Sequence, residues 1–317
     1  MPTTFGTSMP SRGDMASPAN LRTLAQRAES LGFDSAWVSD HIILPRSVDS
    51  FYPYAANGVA TFRPDEDYYE PLAALNFLAG CTQKIRLGTH VLILPYRNPV
   101  LTAKMISTLD VLSEGRFILG AGVGWMEEEF KALGLDTFAQ RGAVTDEYIQ
   151  LFKELWTKDN PEFQGEHYQL SESGFQPKPV QKPHPPIWIG GHTNPAIRRA
   201  AKYGDGWMPI GLRPPAILEP EELAEKIARL RRLTMEAGRP EDAVSLCFST
   251  GVTFDDSPGA TRRMMSGRAE QIAADLRQYQ DLGIRNFILG FPGDSVAAVD
   301  EAMEQFSKQV MPLIPQD

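Results

Sequence analysis

The chain has 317 residues, with 31 lysines and arginines against 40 aspartates and glutamates, a formal charge of −9. A hydrophobic fraction of 42% excludes a disordered chain, and the acidic balance argues against a nucleic acid or an anionic membrane as partner. Cys81 and Cys247 cannot form a disulfide framework, and neither a leader nor an apolar run long enough for a bilayer is visible, so the expected location is the cytoplasm.

Short β-like runs alternate with amphipathic helices along the chain. Thr3 to Ser8 reads as the first strand. Pro18 to Leu31 reads as a helix, with Pro18 in its first turn, apolar residues at a 3.6 period and Gly32 as its stop. Ser35 to Ser39 is a buried strand ending in Asp40-His41, followed by a helix over Pro71 to Cys81. Lys84 to Val91 is the third strand and Pro99 to Leu112 its helix. Arg116 to Ala121 is the fourth strand, and Ala143 to Trp156 the helix behind it. Pro186 to Gly190, Gly206 to Ile210, Val244 to Phe254 and Asn286 to Gly290 complete the strands. The helices between and after them cover Ala196 to Tyr203, Pro220 to Ala237, Ala269 to Leu282 and Val296 to Val310, and the residues beyond are expected to fray.

Strict alternation of strand and helix implies parallel pairing through helical crossovers. Eight units without a dividing linker favour a (β/α)8 TIM barrel with insertion loops, a single domain over 1–317, rather than a doubly wound sheet. The doubly wound fold needs a phosphate-binding fingerprint near its start, and Phe5-Gly6-Thr7-Ser8 has none. Gly120-Ala-Gly-Val-Gly124 is spaced GxGxG and reads as a tight turn.

Two stretches break the rhythm. Residues 43–69 form a loop with six aromatics, including Phe51 and Tyr54, about double the chain-wide 9%. Placed after the second strand, it lies over the face where barrel active sites sit. It serves there either as a lid or aromatic wall for an apolar substrate, or as packing against the rim or a partner subunit. Residues 162–185 read as a hairpin and a proline-rich extended connector.

Functional groups of a barrel cluster at the C-terminal ends of its strands. Three of the five histidines fall there: His41, His90 and His192. No HExxH, no cysteine pair at ligand spacing and no G-x-S-x-G is present, so a metal-dependent hydrolase is a remote alternative and no metal ligand is assigned. Ile189-Gly190-Gly191-His192-Thr193-Asn194-Pro195 runs from a strand into a helix, a geometry that can hold a phosphate on glycine backbone and free helix N–H groups.

Five segments in order make the chain recognisable: LGFDSAWVSDHIILP, IRLGTHVLILPYRNPVLTAK, LDVLSEGRFILGAGVGW, PKPVQKPHPPIWIGGHT and GDGW. The chain resembles the bacterial luciferase-like superfamily of flavin-dependent monooxygenases and F420-dependent oxidoreductases, from about Phe5 to Gly211 and more weakly over Gly267 to Gly290. The resemblance implies a barrel with insertions, a homodimer, and a deazaflavin (F420) or FMN cofactor. It makes His41, with Asp40, the catalytic pair near the cofactor ring, His41 as proton donor or polariser. It assigns a non-prolyl cis bond to His90-Val91, turns Thr89 and His90 towards the cofactor, and gives its phosphate to Gly190, Gly191, His192 and Thr193. Sugar-phosphate dehydrogenases of the superfamily carry a Glu where this chain has Trp125 and a Trp where it has Leu44, so that chemistry is not expected. Trp125 is instead expected on the substrate wall with Phe51 and Tyr54.

F420-dependent hydride transfer to or from a small, fairly apolar molecule is the favoured activity. Arg262, Arg263 and Arg268 are expected to supply a basic lip for the acidic F420 tail. The alternative is an FMN- and O2-dependent monooxygenase served by a separate reductase. A non-catalytic binding protein is the remaining alternative.

Overall fold

The computed structural model describes residues 2–256 and 262–315. Among them, eight parallel strands close into a barrel: β1 (Thr4–Ser8), β2 (Ser35–Val38), β3 (Arg86–Thr89), β4 (Phe117–Gly122), β5 (Ile187–Gly190), β6 (Gly206–Met208), β7 (Ser245–Gly251) and β8 (Asn286–Gly290). Each pairs in parallel with its sequence neighbour, β3 pairs with β4, and β8 returns to β1 with Thr4 opposite Asn286, so the sheet has no free edge. The barrel expected from the alternation is the one observed.

The helices are α1 (Pro18–Ser30), α2 (Pro71–Cys81), α3 (Pro99–Leu112), α4 (Glu127–Ala132), α5 (Arg141–Thr157), α6 (Asn194–Tyr203), α7 (Pro220–Glu236), α8 (Ala269–Asp281) and α9 (Val296–Gln305). Local chemistry sets several starts. Ser17, Glu70 and Asn98 each accept the backbone N–H three residues on, and each is followed by a proline that suits the first helical turn. Among the described residues, no helix is long and apolar enough to cross a membrane.

Two layers of core hold the barrel. The outer one, between strands and helices, runs from Phe5 and Leu24 through Phe152 and Trp156 to Phe306. The inner one is small and centred on two indoles: Trp37 and Trp188 stack at 5.6 Å, packed with Ile118, Met208, Cys247 and Ile288. Their bulk demands missing side chains opposite. A Cβ on Gly88 would lie 2.3 Å from the Trp37 ring, and one on Gly206 would lie 2.5 Å from Trp188. The interior is therefore filled, as in other barrels of this kind, and the functional face of such barrels is the C-terminal one.

Four expectations need correction. The seventh strand leaves the barrel at Val252, and Thr253–Phe254 pairs instead with Ser266–Gly267, an arm outside the sheet. The third strand ends at Thr89, and Leu92–Ile93 makes its own short pairing with β4. The last helix gives way to a π-type turn over Phe306–Val310. The tail does not fray there: Met311–Leu313 adds a 3-10 turn and Ile314 is buried. The short helix α4, unforeseen in the sequence, proves central to the site. The expected hairpin is present, with Phe163–Gln164 antiparallel to Gln169–Leu170 and three of its amides held by the Glu147 carboxylate.

Candidate active site

A cavity of about 340 Å³ opens at the strand C-termini. His41, Trp125, Tyr54, His90, Val91, Gly190 and Gly191 line it, with Arg12, Arg213, Tyr52, Phe62 and Tyr68.

His41 follows β2 and is buried. Its Nδ1 lies 2.5 Å from Oε2 of Glu129, a side chain with no solvent exposure. That carboxylate also accepts the Tyr96 hydroxyl at 3.0 Å and the backbone N–H groups of Ile42 at 2.7 Å and Ile43 at 3.2 Å. Two backbone N–H groups and a hydroxyl already aimed at this carboxylate suit an ionised acceptor, and an ionised acceptor is matched by a His41 Nδ1 that carries its proton. The other ring nitrogen, Nε2, has no hydrogen-bond partner among the described residues, on a ring that lines the cavity. Glu129 sits in the first turn of α4. Its neighbour Glu128 accepts the N–H groups of Asp49 and Ser50, while Ser50 Oγ accepts the Glu127 N–H at the helix start. Three consecutive glutamates thus stitch the aromatic loop to the barrel.

Asp40 has a different employment. Arg97 grips both of its oxygens, at 2.7 and 2.8 Å, and the Ile93 N–H donates to Oδ2 at 2.8 Å. The arginine is held in turn by Glu70 at 3.0 Å. Asp40 therefore ties the end of β2 to the segment after β3, and both of its oxygens are engaged by protein donors.

The aromatic loop packs over the mouth of its own barrel. His41 is boxed by Phe62 (4.8 Å between ring centres), Tyr68 (5.3 Å) and Trp125 (6.2 Å), and Tyr52 lies 5.0 Å from Trp125. Tyr54 reaches across to His192 at 6.1 Å. Burial pushes the Tyr54 phenol up to about 12, with Tyr52 adding to the rise and Arg213 opposing it. Phe51, expected on the substrate wall, is 62% exposed and lines a separate cleft on the outside of the loop.

The bond His90-Val91 is cis, as the resemblance implies. His90 lines the cavity, and its buried Nε2 has no partner among the described residues. Burial, reinforced by the positive Arg213, lowers its pKa to about 4, so the ring is neutral at physiological pH. Val91 sits in a slot made by two glycines: a Cβ on Gly190 would stand 2.6 Å from one of its methyls, and one on Gly122 2.4 Å from the other. Thr89, expected to face the cofactor, is spent on the wall. Its hydroxyl donates to the Gly120 carbonyl and accepts the Gly120 N–H, at 2.8 and 3.0 Å. Thr193 is the N-cap of α6 but makes no side-chain cap bond, and it is exposed. Burial, with Lys226 adding, lowers the pKa of His192.

The expected basic lip is not available as drawn. Arg262 is locked to the buried Asp275 at 2.6 and 2.7 Å, and Arg268 is the N-cap of α8. Arg263 is exposed and does not line the cavity. The cations at the mouth are Arg12 and Arg213, which the sequence reading missed. Arg12 reaches Glu66 at 3.2 Å and lies 4.8 Å above the Phe62 ring. Arg213 has no carboxylate partner among the described residues.

A closed parallel barrel whose polar side chains converge at the strand C-termini is a barrel of the kind that keeps its chemistry at that face. The chain belongs to the luciferase-like monooxygenase family, whose model matches residues 2–266. An uncharacterized protein of Mycobacterium tuberculosis is 38% identical to it, over 84% of this chain and 83% of the relative. An F420-dependent glucose-6-phosphate dehydrogenase of Amycolatopsis mediterranei is 27% identical, over 93% of this chain and 94% of the relative. Among solved structures, an F420-dependent secondary alcohol dehydrogenase with an F420–acetone adduct superposes with a TM-score of 0.79 at 20% identity, covering 100% of both chains. A riboflavin lyase with modified FMN and riboflavin superposes with a TM-score of 0.77 at 15% identity, covering 99% of this chain and 91% of the other. The family thus joins F420- and flavin-dependent oxidoreductases and monooxygenases on one barrel.

Proposed function

We propose that the protein is an oxidoreductase that uses the deazaflavin F420 to move a hydride to or from a carbonyl or alcohol carbon of a small, fairly apolar molecule. The observation that carries this reading is His41: an imidazole buried among aromatic rings, held at Nδ1 by an ionised glutamate, with Nε2 unpartnered. A base and acid so placed suits the proton that must leave or reach the substrate oxygen when a hydride moves.

The residues present fit a flat, anionic cofactor. Gly251 and Gly290 line the cavity, and a Cβ built on either meets nothing closer than a backbone oxygen at 3.7 or 3.9 Å, so bare backbone faces open space there. His90 Nε2 is a buried polar atom in want of a partner, and Arg213 is a cation in want of an anion. His90, Val91, Gly190 and Gly191 would hold the ring, and His192 with the start of α6 the phosphate. When bound, the cofactor supplies the hydride chemistry. The chain's own part is to orient the two reactants, to exclude water with the aromatic loop, and to hold the proton at His41 Nε2. In oxidation, Nε2 takes the hydroxyl proton; in reduction, protonated His41 returns it. Asp40 serves this scheme by fixing the backbone on either side of the ring and takes no proton itself.

F420 is favoured over FMN by the F420-dependent relative that is 27% identical over 93% of this chain. An FMN- and O2-dependent monooxygenase, fed by a separate reductase, is the second reading, favoured by the family model and the FMN-bound neighbour. The test is a fluorescence titration of the purified protein with oxidised and reduced F420 and FMN. Micromolar binding of F420 is expected. Binding of FMN alone would replace the first reading by the second, and binding of neither would overturn both.

A further inference from the structure

The barrel has a second opening, at the N-terminal ends of its strands. A well of about 980 Å³ lies there, with Trp188 among its lining residues. Strand alternation explains it. On β3 a Cβ at Gly88 would meet the Trp37 ring inside the barrel, so Arg86, two residues earlier, points inward as well, one layer nearer the N-terminal end. By the same count Thr4 stands below Gly6, Ser245 below Cys247 and Asn286 below Ile288, and all three line the well. Bulky branched side chains usually fill every layer of such a barrel. Here the layer under the two indoles is made of short polar side chains and one arginine, and it is hollow. Trp37 lines the mouth cavity and Trp188 lines the well, so the stacked pair is the partition between them.

Arg86 is the group this layer leaves unsatisfied. Its guanidinium is half-buried, and burial lowers its pKa against the opposing pull of Asp110 and Asp34. Neither carboxylate pairs with it: Asp34 accepts the Phe5 N–H, and Asp110 is taken up by Gln181. Among the described residues its one hydrogen bond is to Gln181 Oε1 at 3.5 Å, longer than an ordinary bond of this kind. A planar fork of five donors with one marginal acceptor, facing an open well, is suited to an anion.

The other charges decide how much negative charge fits. Arg285 and Arg231 add to the positive side of the lining, and Asp205, Glu241 and Asp242 to the negative. Arg231, Glu241 and Asp242 are exposed at the rim, where solvent and salt screen them. Arg285 donates one nitrogen to the Gln280 and Ile284 carbonyls, and Asp205 accepts the Ile187 N–H, so these two half-buried charges are opposite and roughly offset each other. The deep cation is left in want of one compensating charge rather than two. Pro186, Leu230 and Leu246, with Trp188, give an apolar wall for the rest of a ligand.

We propose that this well is a binding site for a small organic carboxylate: the carboxylate pairs with Arg86 and the hydrocarbon body lies against Trp188. The site is separate from the mouth cavity and stands whether or not the oxidoreductase reading does. The probe is benzoate, titrated against the purified protein by calorimetry and tryptophan fluorescence, with benzamide as its neutral match and inorganic phosphate as a dianion without a hydrocarbon body. Saturable binding of benzoate is expected, about tenfold tighter than benzamide, the factor that corresponds to one charge-assisted hydrogen bond. Arg86→Met, which keeps the length and removes the charge, should weaken benzoate by the same factor and leave benzamide unchanged. Ser245→Leu, which fills the well without touching a charge, should abolish binding of both and serves if the arginine variant does not fold. The benzamide and phosphate arms need no variant at all. Equal affinity for benzoate and benzamide, tighter binding of phosphate than of benzoate, or benzoate binding that survives Ser245→Leu would each overturn the proposal. So would loss of benzoate binding in Arg213→Ala with Arg86→Met unaffected, which would put the anion in the mouth cavity.

Discussion

Replacing Glu129 by glutamine tests the arrangement around His41 most directly. The carboxylate has no solvent exposure and accepts from His41 Nδ1, the Tyr96 hydroxyl and the Ile42 and Ile43 amides. A glutamine of the same shape has one acceptor oxygen and one donor group. If its oxygen keeps the two amides, its NH2 confronts the histidine N–H and the tyrosine hydroxyl. If it turns round, the NH2 confronts two backbone N–H groups. Either way two buried donors lose their acceptor. A hydrogen bond to a charged group contributes ~1.5–3 kcal/mol and a stranded buried donor costs ~1–3 kcal/mol, so a net loss of about 3 kcal/mol is expected after side chains adjust. Equilibrium unfolding in urea measures it. The same variant should move the His41 proton from Nδ1 to Nε2, because the ring can satisfy an amide donor only by presenting a lone pair. Imidazole nitrogen chemical shifts report that exchange without any substrate. A stability loss under about 0.5 kcal/mol, the range of an inconsequential surface change, together with unchanged His41 shifts, would refute the assignment of Glu129 as the group that orients the ring.

Arg97→Ala should be costlier, because it leaves the buried Asp40 carboxylate unpaired; about 3–5 kcal/mol is expected by thermal unfolding, with Arg97→Lys intermediate. Gly190→Ala should lower stability and cofactor affinity by driving its methyl into the stiff Val91 side chain, and adding Val91→Ala should recover most of both, a non-additivity read from a double-mutant cycle. His90 gives a pH signature. Its folded pKa of about 4 lies below the ordinary 6.5, so the unfolded chain takes up a proton below pH 6.5 that the fold refuses. The stability it contributes is full above pH 6.5 and is lost as the pH falls towards 4, roughly 2 kcal/mol of it by pH 5. Unfolding midpoints at pH 7.5 and 5.0 should therefore differ more in the unmodified protein than in His90→Gln.

The barrel was legible because the sequence marks its parts twice, by hydrophobic period and by Pro and Gly at helix ends; Pro18, Pro71 and Pro99 stand in the first turns where they were expected. The site was legible only in outline. His41 could be singled out by its place after a strand. Its orienting group could not, because Glu129 is the third of three consecutive glutamates, and such a run reads as a solvated face. Glu129 instead faces inward from a six-residue helix whose first N–H bonds Ser50 Oγ, 77 positions away, a contact that local sequence does not announce. A hint was present: the run follows directly on the Gly-rich turn at the functional end of β4. Arg97 was hidden in a helix-entry turn, and the two mouth arginines lie after β1 and β6 in loops without periodicity. The Arg262 assignment failed for the converse reason, since a buried aspartate thirteen residues on claims its guanidinium. For the seventh strand, apolar alternation continues past Val252 although the backbone leaves the sheet there.

The aromatic loop is pinned at both ends to groups that belong to the barrel. At its root the Ile42 and Ile43 amides are fastened to Glu129, and at its far end Tyr68 bonds Ser39 at 2.5 Å and the Tyr69 amide bonds the Ser11 carbonyl. Its two ends are thus closed at fixed points, and lengthening the span between them costs little, about 0.6 kcal/mol for a doubling. The stretch between the pins is a cassette. Apart from Asp49 and Ser50, which bond α4, its residues can vary while the imidazole and its carboxylate stay held by their own bonds, which lets the choice of molecule drift independently of the machinery that acts on it.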